Sequence, residues 1–97
     1  MSHYLIANYR ITDQEGYQRY LELVGATTAA HGAEVLVADF DSQIVEGGGR
    51  PVSVVVRFAS REAALGWYNS PEYRAVVHHR QNNTEGFVLF ANGAEPA

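Results

Sequence analysis

The sequence contains no cysteine, which excludes disulfides, thiolate metal sites and a cysteine nucleophile. It contains no lysine either. All seven basic residues are arginines, set against eleven acidic ones for a net charge of −4. No basic cluster is available to track phosphates, so a nucleic-acid partner is not expected. No apolar run approaches the roughly 20 residues that cross a bilayer. The opening Met-Ser-His-Tyr-Leu lacks the charged and apolar regions of a signal peptide. A cytoplasmic protein with no membrane partner is the expectation.

What is present is a globular composition, 46% hydrophobic and 11% aromatic over 97 residues. That is enough for one domain, residues 1–97, and little more. A chain this short buries a modest share of its surface, so it must pack economically or find a partner.

Residues Tyr4 to Ile11 are rich in β-formers and unbroken, and read as a first strand. Thr12 and Glu15 have capping-box spacing, with Asp13 adding charge where a helix start favours it. From there Tyr17, Tyr20, Leu21, Val24, Thr28 and His31 recur at helical steps, and Gly32 supplies a left-handed stop. A second strand is expected over Glu34 to Phe40 and a third over Val52 to Phe58. The glycines at 47–49 lie in the connection between them. Gly47-Gly48-Gly49 is a hairpin loop rather than a phosphate loop, since it lacks the Lys-Ser/Thr ending and leads into a strand. Ser60 caps a second helix to about Tyr68. Ser70-Pro71 restarts a helix that runs to about Gln81. Gly86 ends the next connection, Phe87 to Ala91 form the fourth strand, and residues 92–97 make a loose tail.

The order β-α-β-β-α-β is the ferredoxin-like pattern of an α+β fold, a four-stranded antiparallel sheet with helices on one face. A sheet with one wet face should alternate apolar and polar residues. Here Val55 opposes Val54 and Val56, Phe87 and Leu89 oppose Val88 and Phe90, and Val35 and Val37 oppose Leu36 and Ala38. Two helices cover only one face. The other calls for a second layer, and a two-fold homodimer with sheets face to face supplies it.

Tyr4-Leu5-Ile6-Ala7-Asn8, His31-Gly32, Ser60-Arg61-Glu62-Ala63-Ala64 and above all Trp67-Tyr68-Asn69-Ser70-Pro71-Glu72-Tyr73 form a specific set. Together they resemble the domain-of-unknown-function family 1330, small bacterial proteins of the dimeric α+β barrel superfamily. The resemblance spans nearly the whole chain and implies the same homodimer, but no settled reaction. Proteins with this fold include quinol-forming monooxygenases, muconolactone isomerases, chlorite-dismutase-like haem proteins and stress-responsive barrels, a range too wide to assign an activity. The sequence departs from the family pattern twice. Ala38-Asp39-Phe40 stands where Arg-Gly-Gly is frequent, and Arg57 stands where Glu frequently precedes Phe.

Several residues are candidates for a site. His31 ends the first helix on its inward stripe and is the candidate acid or base, histidine being the residue type that changes charge near neutral pH. As a bland alternative it complements the helix dipole. Asn8 is an amide within a β-forming strand and either orients a ligand or finds a wet position. Tyr17, Tyr20, Trp67 and Tyr73 either wall a pocket or fill a core. Glu46 and Arg57 face a ligand or pair with each other across the hairpin. His78, His79 and Arg80 form a basic helix end at the solvent or dimer rim. Adjacent histidines diverge on a helix, so no metal site is expected, and no nucleotide or haem motif calls for a cofactor.

Two functions of different class follow. One is binding of a small, partly apolar organic molecule in a helix–sheet cleft, with cofactor-free acid/base or monooxygenase-like chemistry. The other is a non-enzymatic dimeric stress-responsive or accessory module whose cleft is solidly filled.

Overall fold

A computed structural model describes residues 1–95. The elements run β1 (His3–Ile11), α1 (Gln14–Ala30), β2 (Glu34–Asp39), β3 (Val52–Phe58), α2 (Arg61–Tyr68), α3 (Pro71–Arg74), α4 (Val77–Gln81) and β4 (Thr84–Asn92). The strands form one antiparallel sheet in the order β2-β3-β1-β4. This is the ferredoxin-like α+β fold that the element order predicts.

Alternation along β1 sets the two faces. Leu5, Ala7 and Tyr9 are buried, and across the ladders they meet Val56, Val54 and Val52 of β3 and Phe90, Val88 and Gly86 of β4. This inner face lies under the helices. Trp67 and Ala64 of α2, Tyr17 and Tyr20 of α1, Tyr73 of α3 and Val77 of α4 complete the core. Between the inner residues sit Tyr4, Ile6 and Asn8, facing outward with Val55 and Leu89.

Local chemistry sets most boundaries, and some differ from the sequence expectation. The cap of α1 is Asp13, whose carboxylate accepts from the Glu15 and Gly16 amides; the Thr12 amide instead donates to the Asn83 carbonyl and prolongs the β1–β4 pairing. Gly32 takes the expected left-handed turn at φ 65°. In β2 a bulge at Leu36 shifts the register between Val35 and Val37. Val35 and Ala38 therefore share the inner side and Val37 faces out, where simple alternation had paired Val35 with Val37.

The helix expected from Pro71 to about Gln81 breaks after Arg74 and restarts at Val77. The break lets both Val76 and Val77 reach the core, at 8% and 4% exposure.

β4 begins earlier than expected and contains Gly86. A Cβ there would lie 2.3 Å from the Asn8 carbonyl oxygen, so glycine is what allows the strand to pass close to β1. At the other end Asn92 still belongs to β4, the Gly93 amide donates to the Ser2 carbonyl at 2.9 Å, and the Ser2 amide donates to Glu95 at 2.7 Å. Pro96 and Ala97, the end of the expected tail, lie outside the described residues.

Candidate functional site

The helices do not close over the whole inner face. A cavity of about 180 Å³ remains between the sheet and the inward sides of α1, α2, α3 and α4. Its floor is Leu5, Ala7, Val54, Val56 and Val88. Its exposed margin is Leu21, Val35 and Phe40, which places the mouth between α1 and the edge strand β2. The lining is aliphatic and aromatic, with a few convergent polar groups, the usual make-up of a small-molecule pocket.

Four of those groups are tyrosine hydroxyls held in two pairs. Tyr9 and Tyr17 hydroxyls lie 2.6 Å apart, and those of Tyr20 and Tyr73 lie 2.8 Å apart, all buried. The pairing explains how phenols tolerate this depth, since a buried hydroxyl without a partner is costly. Burial first, and the Tyr17 hydroxyl second, push the Tyr9 phenol well above its ordinary range. Burial followed by the charge of Tyr73 does the same for Tyr20, and burial raises Tyr17. All three are neutral hydrogen-bonding groups at physiological pH.

The back wall is fixed by a second set of contacts. The Trp67 indole N–H donates to Thr27 Oγ1 at 3.0 Å, and the Trp67 and Tyr73 rings lie 3.9 Å apart. The Ser70 hydroxyl donates to the Trp67 carbonyl and accepts from the Tyr73 amide, so the helix break holds both rings in place. Arg80 of α4 also lines the cavity. Burial opposes its charge, but the tyrosines Tyr73, Tyr20 and Tyr9 outweigh that and raise its pKa.

Of the residues singled out in the sequence, Tyr17, Tyr20, Trp67 and Tyr73 are brought together around this cavity. His31 is half-buried at the C-cap of α1, outside the cavity lining, and its amide donates to the Thr28 carbonyl at 3.2 Å. Asn8 faces the opposite side of the sheet. Its amide group donates to the Arg50 and Val52 carbonyls and to Ser53 Oγ, and its oxygen accepts from the Arg50 amide at 2.7 Å. Asn8 thus anchors the connection into β3. Arg57 pairs with Glu34 at 3.2 Å, rather than with Glu46, because antiparallel pairing sets Glu34 directly opposite it. Glu46 is exposed in the connection between β2 and β3.

Sequence reasoning missed Tyr9 and Arg80. Both carried a signal. Tyr9 is two residues beyond Ala7 and four beyond Leu5, on the apolar side of β1. Arg80 follows Tyr73, Val76 and Val77 at helical spacing, which outweighs the polar look of His78 and His79 beside it. Among the described residues, no group of three or more His, Asp or Glu could hold a metal ion, and no helix is long and apolar enough to cross a membrane.

Solved structures share this architecture. A protein of unknown function from Rhodopseudomonas palustris superposes with a TM-score of 0.81 at 16% identity, over 98% of this chain and 84% of the other. A candidate antibiotic biosynthesis monooxygenase from Caulobacter crescentus gives 0.68 at 13% identity, over 97% and 91%. A protein from Bacteroides fragilis, described as dimeric, ferredoxin-like and of unknown function, gives 0.63 at 11% identity, over 95% and 96%. These likenesses establish the fold. No curated protein matches the sequence. The model of one family, described as Domain of unknown function (DUF1330), matches residues 2–94, and the chain belongs to that family.

Proposed function

We propose that this protein binds a small, partly apolar organic molecule in the cavity between α1, the sheet and α2–α4, one molecule per protomer. The observation that carries the reading is the cavity itself, walled by Tyr17, Tyr20, Trp67 and Tyr73 with paired hydroxyls and left unfilled. A solidly filled cleft would instead have favoured a non-enzymatic accessory or stress-responsive module. The chemistry that suits such a ligand is cofactor-free proton transfer or oxygenation of an activated substrate. The candidate monooxygenase of the same fold supports it, although fold likeness carries chemistry less far than the cavity carries binding. An acid or base must reach the proton it moves, so the reading rests on the cavity's own side chains and assigns His31 no ligand contact.

The protomers of this reading form a homodimer through the outer sheet face. Phe87, Leu89 and Val37 are exposed there at 47%, 44% and 41%, around Ile6 and Val55. A contiguous apolar patch of this kind on a small domain marks an association surface. The protein of the same fold from Bacteroides fragilis, described as dimeric, supports a dimer.

Gly25 provides a clean test. It lines the cavity from within α1, and a Cβ added there meets nothing within 4 Å. Thermal-shift screening of the protein against quinols, lactones and small enols should give a rise in Tm with at least one class. Gly25→Leu should fold, and should lose that rise because its side chain occupies the ligand's space. A rise that survives Gly25→Leu, or no rise with any class, contradicts the reading.

A further inference from the structure

The cavity contains a cation with no counter-charge. Arg80 lines the apolar cavity and also a second, more open pocket of about 290 Å³ bordered by Tyr68, Gln81 and Thr84, so it stands where the two meet. No Asp or Glu lines either pocket. None of the three ion pairs among the described residues includes Arg80, although acidic residues outnumber basic ones in the chain. A guanidinium drawn away from water is ordinarily matched to an anion. Its neighbours here are the side chains of Tyr73, Tyr20 and Tyr9, with no carboxylate among them.

The geometry of guanidinium narrows what could complete the site. Its planar fork of N–H donors matches the two oxygens of a carboxylate, a bidentate pairing stronger than bonds between neutral groups. Volume narrows it again. The cavity, about 180 Å³, is close to the engineered cavity of about 150 Å³ that admits benzene. A body of one ring's size fits.

Resting on the ligand-binding reading of this same cavity, we propose that its occupant is an organic carboxylate of one ring's size. The ring lies against Leu5, Val24, Val56 and Trp67, and the carboxylate pairs with Arg80 beside the Tyr73 hydroxyl. The apolar cavity selects the body of the ligand, and Arg80 selects its charge.

Benzoate and benzamide have nearly the same shape and differ in charge, and Trp67, the single tryptophan, reports from the cavity wall. In a fluorescence titration, benzoate should quench Trp67 at concentrations at least about tenfold lower than benzamide, in keeping with a hydrogen bond to a charged group. Arg80→Met should bring benzoate to the level of benzamide and leave benzamide unchanged. Arg80→Lys keeps the charge without the fork, and should retain the preference for benzoate with weaker binding. If Arg80→Met does not fold, the comparison of the two probes on the unaltered protein decides alone. Equal quenching by both probes, or a benzoate preference that persists in a folded Arg80→Met, overturns the carboxylate proposal and leaves the ligand-binding reading intact. Quenching by neither probe also overturns it, and the broader reading then stands or falls on the screen with Gly25→Leu.

Discussion

On the inner face of the sheet Phe58 and Val52 of β3 are 1% and 2% exposed, whereas on the outer face of the same sheet Phe87 and Leu89 of β4 are 47% and 44% exposed. Both faces carry apolar residues at their centres. Their polar content separates them. The inner face and its helices enclose paired tyrosine hydroxyls and an arginine with no carboxylate beside it, whereas the charged pairs of the outer face keep to its margins. Arg57–Glu34 and Arg10–Glu85 pair there, and Asn8 binds the connection into β3. An apolar centre with a charged rim is the anatomy of an interface, and an apolar cavity with a few convergent donors is that of a binding site. Apolarity alone would have assigned both faces the same role.

The contrast can be broken at several points. The largest effect is expected at Trp67, which is 1% exposed and packed on Phe58 and Tyr73. Trp67→Ala should cost about 3–5 kcal/mol in urea unfolding, as large aromatic truncations in cores do. A cost under about 1 kcal/mol would mean that the inner face is not the structural core.

Alkaline pH should act on the inner face alone. Burial raises Tyr9 and Tyr20 above the ordinary phenol value of 10.0, so the folded protein keeps protons that the unfolded chain releases. Stability should therefore be level up to about pH 10 and fall above it, by about 1.4 kcal/mol per pH unit for each such tyrosine. Tyrosinate absorbance should rise together with unfolding. Ionisation of all the tyrosines near pH 10 in a still-folded protein would contradict the burial of the pairs.

Tyr20→Phe should be smaller, about 1–2 kcal/mol, because it leaves the Tyr73 hydroxyl buried without its partner. The double variant Tyr20→Phe/Tyr73→Phe should recover part of that loss, and strict additivity of the two changes would show that the hydroxyls are uncoupled. At the outer rim Glu34→Ala removes an exposed ion pair, and Tm should stay within experimental error.

How far all this was legible beforehand depends on the element. The third strand, Val52–Phe58, has the bounds its β-branched run predicts, and the capped start of α2 follows from Ser60. The family and the fold were likewise readable, the Trp67–Tyr73 segment being specific and the element order sufficient. The start of β4 was not. Gly86 looks like a breaker in sequence, and only the closeness of β1 shows why a glycine belongs inside the strand. The bulge at Leu36 and the break before Val77 depend on what each residue meets across the fold, which local pattern does not contain.

The candidate site was half legible. Tyr17 and Tyr20 stood out by helical periodicity and Trp67 and Tyr73 by their place at the helix break, as pocket wall or core, but Arg80 was hidden by two neighbouring histidines that suggested a solvated helix end. A charged residue on an inward stripe looks like an exception to the pattern until the cavity it enters is seen.

The division of labour between the two faces is tested most directly by sedimentation velocity on the unaltered chain and on Val55→Asp, which places a charge among Ile6 and Val37 on the outer face. The account predicts a dimer of the 10.7 kDa chain at micromolar concentration and a folded monomer for Val55→Asp, with the inner core intact by near-ultraviolet circular dichroism. An unaltered chain that remains monomeric at that concentration, or a Val55→Asp variant that remains dimeric, would contradict it.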